Sequence, residues 1–149
     1  MKIRAVFIGS TKRAIDRVVR CIEAASCIEI TVVEHDCTCR DLRAVVMASD
    51  AVFINRAVET RSIEKMLRLI RQNCNDIPIV ITYEDEPDGR AFVLARRYDC
   101  LLFSPQDELG ITLTPAEVAT ALEESLSEAC AEQKLMEISL CTGPCSTGD

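Results

Sequence analysis

The sequence predicts an open α/β domain, a five-stranded parallel sheet with helices on both faces. Two observations carry this. Five short runs, "IRAVFIG", "IEITVV", "AVFIN", "IPIVITY" and "CLLFS", are rich in apolar and β-branched residues, and most are nearly continuous rather than alternating. That is the pattern of strands covered on both faces. Segments of helical period lie between them, so strand and helix alternate along the chain and the connections are crossovers between parallel strands.

The first helix is expected over Thr11 to Ala25, with Ile15, Val18, Val19 and Ile22 on one stripe. A second strong stripe, Ile63, Met66, Leu67 and Ile70, lies within Ser62 to Asn73. Arg40 to Ala48 and Gly89 to Tyr98 carry shorter helical patterns. The last helix starts at Thr114-Pro115, where threonine caps, proline takes the first turn and Glu117 completes a capping box.

A chain of 149 residues fits one domain with a real core. Its 17 basic residues against 24 acidic ones speak against direct nucleic-acid binding, because phosphate backbones are held by surplus Lys and Arg. The opening "MKIRAVFIGSTKR" has too short an apolar run for a secretion signal, and no later segment reaches membrane-spanning length. A cytoplasmic protein with protein partners is the expectation. The nine cysteines are scattered through apolar segments and read as reduced, small hydrophobes.

From Thr114 to Leu140 the helical pattern would extend roughly 40 Å at 1.5 Å per residue, longer than the sheet can cover. Leu122, Leu126, Ala129, Gln133, Met136 and Leu140 follow spacings of a heptad seam, interrupted by one polar residue. Residues 1–128 therefore read as the domain and 129–149 as a helical extension ending in the linker-like "CTGPCSTGD". The extension serves either a homodimer or a path to a further, output domain.

In an open sheet of this kind ligands sit beyond the carboxyl ends of the strands, near the topological switch beside the first strand. The residues ending strands one, three, four and five are Gly9 and Ser10, Asn55, Thr82 or Tyr83, and Ser104. With the "AVFIN" strand, the "IPIVI" strand opened by Pro78 and the "DCLLFSP" strand followed by Pro105, the chain resembles a response-regulator receiver domain from about Lys2 to about Glu128. The resemblance implies a flavodoxin-like fold with strand order 2-1-3-4-5.

The resemblance also implies a set of phosphoryl-transfer parts, and these are the parts that differ. Acids after the first strand would hold Mg²⁺, which takes oxygen ligands; Gly9 and Ser10 stand there. The phosphoacceptor would be an ionised carboxylate; Asn55 is a neutral amide without that nucleophile. Ser104 replaces the phosphate-gripping lysine, and Leu101 occupies the position of the aromatic that rotates on activation. The hydroxyl of the fourth strand is Thr82 or Tyr83. No cofactor or metal is expected in such a pocket. Asn55 is expected to hydrogen-bond across it to Ser104 or Thr82, and the resemblance makes the bond before Pro105 a candidate cis peptide.

The reading is a phosphorylation-independent pseudo-receiver, not an enzyme, acting through protein contacts. In the family the fourth helix and the elements after it form the partner face, which here would include Arg90, Arg96 and Arg97. A sensor of a small ligand, metal or redox state is the alternative, built on one of two features. The Gly9 to Lys12 turn could hold an anion at a helix N-terminus, although Ser10 as a simple N-cap also explains it. His35, Cys37 and Cys39, joined by Cys141 and Cys145, could hold zinc or an iron-sulfur cluster, and Cys141 with Cys145 could form a redox switch, although "CTC" is not a standard chelating pair. The acidic "EDEPDGR", Glu84 to Arg90, reads as a solvated loop with Asp88 capping the next helix.

Overall fold

The computed structural model describes residues 2–35, 39–55, 60–74, 76–84, 89–105, 110 and 112–128. In chain order the elements are β1 Lys2–Ile8, α1 Lys12–Ala25, β2 Glu29–His35, α2 Cys39–Met47, β3 Ala51–Asn55, α3 Thr60–Asn73, β4 Ile79–Thr82, α4 Gly89–Tyr98 and β5 Leu101–Phe103. A final helix, α5, covers 115–128 of the described residues. All strand pairs are parallel and the order is β2-β1-β3-β4-β5, as the sequence pattern and the resemblance together predict.

Alternation within the strands explains their continuous apolar character. On one face Val6, Ile8, Val52, Ile54, Ile79 and Ile81 pack against residues of α2, α3 and α4. On the other Ile3, Ala5, Phe7, Ala51, Phe53 and Val80 meet Ile15, Val18 and Ile22 of α1 and Val118, Ala119 and Leu122 of α5. Each strand thus feeds two cores, and β3 and β4 are buried along their whole length. The edge strand β2 keeps Glu29 and Glu34 exposed, as an edge requires. Across the centre of the sheet Phe7 and Phe53 stack at 4.4 Å between ring centroids.

The helix starts follow local chemistry. In α1 the cap is Thr11 rather than Ser10: the Thr11 hydroxyl accepts from the Ala14 N–H at 3.3 Å. Gly9, at φ 68°, turns the chain out of β1 in the left-handed region, so the extended residue that opens the helix comes after Ser10. At α5 the predicted capping box is present in both directions. Thr114 N–H donates to Glu117 Oε1 at 3.1 Å, and Glu117 N–H donates to the Thr114 hydroxyl at 3.2 Å.

Arg71 secures the opposite end of the sheet. Its guanidinium donates to the carbonyls of Ile77 at 2.6 Å, Tyr98 at 2.7 Å and Asp99 at 2.8 Å, tying α3 to the turns that lead into β4 and β5. Asp99 lies at φ 54°, the tight reversal between α4 and β5.

The first two seam positions are committed to this core. Leu122 is fully buried and Leu126 packs against the same cluster. Ala129, Gln133, Met136 and Leu140 lie outside the described residues, as does the boundary expected after 128. Among the described residues no helix is long and apolar enough to cross a membrane.

Candidate functional site

Strand register brings the predicted pocket residues to one edge. Ile8 pairs with Ile54, Asn55 with Thr82, and Thr82 with Phe103, so the ends of β1, β3, β4 and β5 are level. The Tyr83 N–H donates to the Phe103 carbonyl at 2.9 Å, which extends the ladder one residue and places Ser104 beside it. Asn55, Thr82, Tyr83 and Ser104 are all buried, each at most 5% exposed. Gly9 is exposed and Ser10 half-buried.

A cavity of about 10 Å³ lies at this edge, between Ala14, Arg17 and Val18 of α1, Asn55, Thr82, Tyr83, Glu84 and Pro105. That volume is about one water. Both alternatives for the fourth-strand hydroxyl, Thr82 and Tyr83, line it, and Tyr83 also packs with the α2–α4 core. Asn55, Tyr83, Ser104, Arg17 and Glu84 are each engaged in hydrogen-bonding or electrostatic interactions. Gly9, Ser10 and Ser104 are not among the lining residues.

Sequence reading missed Arg17 here. Its spacing of three from Ala14 puts both on one side of α1, but an arginine beside an apolar stripe reads as solvated until the neighbouring strand ends are in place. The peptide bond before Pro105 is trans, against the expectation of cis; among the described residues every peptide bond is trans. The trans form of an X–Pro bond is the favoured one by about 0.5–1 kcal/mol, and this turn accommodates it.

Leu101 opens β5 and is half-buried, packed on the α1–α5 core. It also borders a groove of about 530 Å³ along α4 and β5, which includes Phe92, Arg96, Leu102 and Leu113. On α4 Phe92 and Val93 are exposed at 39% and 56%. The three predicted arginines divide. Arg96 lines the groove, and Arg90 is exposed. Arg97 turns to α3, where it meets Glu64 at 2.9 Å, and the Tyr98 hydroxyl donates to the same carboxylate at 3.3 Å.

The sensor features fare differently. His35 ends β2 whereas Cys39 opens α2, so the two lie on different elements and not on one extended strand. The Nε2 of His35 is buried and has no hydrogen-bond partner among the described residues. Cys37, Cys141, Cys145 and Asp88 lie outside the described residues. Among those described, no group of three His, Cys, Asp or Glu side chains is placed to hold a metal. Cys21, Cys27, Cys74 and Cys100 are free thiols.

No family model matches the chain, and no curated protein does. Solved structures do. A CheY-like response-regulator receiver domain protein from Methanospirillum hungatei superposes with a TM-score of 0.57 at 10% identity, over 89% of this chain and 99% of that one. An orphan response regulator of H. pylori gives 0.54 at 12% identity, over 83% and 96%. A protein from Burkholderia thailandensis named for pilus assembly gives 0.54 at 18%, over 85% and 99%. At these identities the likeness establishes the fold: a flavodoxin-like, CheY-like architecture shared with receiver domains.

Proposed function

We propose that this chain is a pseudo-receiver, a signalling domain that has kept the receiver framework and works without phosphoryl transfer. The observation that carries the reading is the strand edge around Asn55. The residue at the phosphoacceptor position is a buried amide, and the cavity beside it has room for about one water. A transferring phosphoryl group with its Mg²⁺ needs oxygen ligands and space around a carboxylate. Here Arg17, Tyr83 and Pro105 line the cavity beside Asn55, Glu84 is the one carboxylate among its described lining residues, and Gly9 and Ser10 bring none from the end of β1.

Function then resides in surfaces. The groove along α4 and β5, lined by exposed Phe92 and by Arg96, with Val93 exposed elsewhere on the same helix, supports this helix and strand as the face for a protein partner. Apolar residues flanked by arginine are the composition that protein interfaces favour. Residues 129–149 would lead from α5 to an output domain such as a transcriptional regulator. Neighbours of the same fold bear names as different as response regulation and pilus assembly. The proposal therefore rests on contact and is not tied to one pathway.

The test is incubation with acetyl phosphate and Mg²⁺ followed by intact mass measurement. No phosphoryl adduct is expected on the native chain, nor on Asn55→Asp, because position 55 would gain a carboxylate while Gly9 and Ser10 still offer no metal ligand. Stable labelling of the native chain would sink the proposal. Labelling of Asn55→Asp alone would show that metal ligands reach the pocket from elsewhere. Metal analysis of the same sample separates this reading from the metal form of the sensor alternative, which stoichiometric zinc or iron would favour.

A further inference from the structure

A second surface lies across the sheet from α1 and α5. Between α2 and α3 runs a groove of about 530 Å³ with an apolar floor of Leu42, Met66 and Leu69 and a flank formed by Lys65, Arg68 and Gln72. Leu42 and Met66 are buried parts of the α2–α4 core, and Leu69 is packed against it, so the floor is fixed by the fold. The α3 residues that line it run from Ser62 to Gln72, a trough of about 15 Å at 1.5 Å per residue, or nearly three helical turns.

The charge of this groove runs against that of the chain as a whole. The chain carries a net charge of −7, yet among the described residues lining the groove the charged side chains, Lys65 and Arg68, are basic and exposed. The acid that α3 places next to Lys65, Glu64, is turned to Arg97 of α4 at 2.9 Å and so is drawn away from the groove.

We infer that the α2–α3 groove docks an acidic amphipathic helix of a protein partner. Leucine-like anchors spaced i, i+3 or i+4, and i+7 would enter the trough, and flanking carboxylates would meet Lys65 and Arg68. This is the helix-in-groove mode of recognition. A second copy of this chain fits less well. Its acidic helix α5 exposes Glu117, Glu124 and Glu128, but its apolar residues Val118, Ala119 and Leu122 are buried in its own core. Over its described residues that helix brings the charge without the anchors. The inference does not depend on the pocket being inert, since it concerns a different face from both Asn55 and the α4–β5 groove.

The experiment uses the full chain and two fluorescein-labelled helical peptides of about three turns, with identical leucine anchors and either glutamate or lysine flanks. Fluorescence anisotropy should show binding of the glutamate peptide and not of the lysine peptide. Lys65 and Arg68 are exposed on a helix, so Lys65→Glu with Arg68→Glu should leave the fold intact, as circular dichroism will check. The double variant should bind the glutamate peptide at least about tenfold more weakly, since opposed charges at an interface attract while like charges are excluded, and it should gain affinity for the lysine peptide. Equal binding of both peptides to the native chain, or an affinity untouched by the double variant, overturns the inference. So does a native chain that self-associates and dissociates on the same substitutions, because the occupant would then be a second copy.

Discussion

Cys100 sits where burial and a guanidinium act on one thiol in opposite directions. Burial dominates and pushes its pKa from 9.0 up to about 12, while the charge of Arg71 pulls down and Asp99 adds to the rise. Between those values the unfolded chain has lost the proton and the folded chain keeps it. The unfolded state then binds fewer protons, so stability falls as pH climbs through the window, by up to about 1.4 kcal/mol per pH unit. Urea midpoints measured from about pH 8 to about pH 11 should fall more steeply for the native chain than for Cys100→Ser, which removes the titrating group. Thiol alkylation provides a second reading. Cys27 is exposed and should react early, whereas Cys100, held as the neutral thiol, should be the slower of the two. Asn55 was legible in the sequence because a strand end has one place to deliver its residue. Arg17 was not, because its position depends on where α1 lies relative to the ends of β3 and β4, which the helical period alone does not fix.

Elements are where the sequence spoke most directly, and the capping box of α5 is the clearest instance. Threonine, proline and glutamate at fixed offsets foretold both reciprocal bonds between Thr114 and Glu117. Thr114→Ala removes the acceptor of the Glu117 N–H and should cost about 1 kcal/mol, seen as a lower urea midpoint with unchanged slope. The start of α1 was misplaced by one residue because Ser10 and Thr11 are equally good caps by type. The positive φ of Gly9 decides between them, and composition does not report it. Strands were readable for a different reason: a strand that serves two cores cannot alternate, so apolar continuity and the two-sided sheet are one fact. Phe53 marks the middle of that arrangement, fully buried and stacked on Phe7. Phe53→Ala should cost about 3–5 kcal/mol by cavity formation, the largest loss among these substitutions. If the variant unfolds outright, Phe53→Leu, which keeps most of the volume, should recover most of the stability.

The whole molecule raises the question of what the last helix is for. The sequence offered a six-position seam, but the structure commits Leu122 and Leu126 to the α1–α5 core, where they shield Phe53 and Phe103 together with Val118 and Ala119. A partner helix could use only Ala129, Gln133, Met136 and Leu140, fewer than two heptads with a polar residue among them. Short helices are marginal in water without a packed face, and a seam this short offers little area to offset the cost of association. The full chain should therefore sediment as a monomer at micromolar concentration, and a chain ending at residue 128 should do the same. It should also unfold as cooperatively as the full chain, because the apolar residues described in the two core clusters all lie before that point. A full chain that sediments as a dimer, with truncation returning it to monomer, would restore the seam and make the extension an assembly device. A truncated chain that loses cooperativity would instead place part of the core beyond residue 128. Equal sedimentation and equal cooperativity would place residues 129–149 outside both the core and any self-assembly, which is what the connector role proposed for them requires.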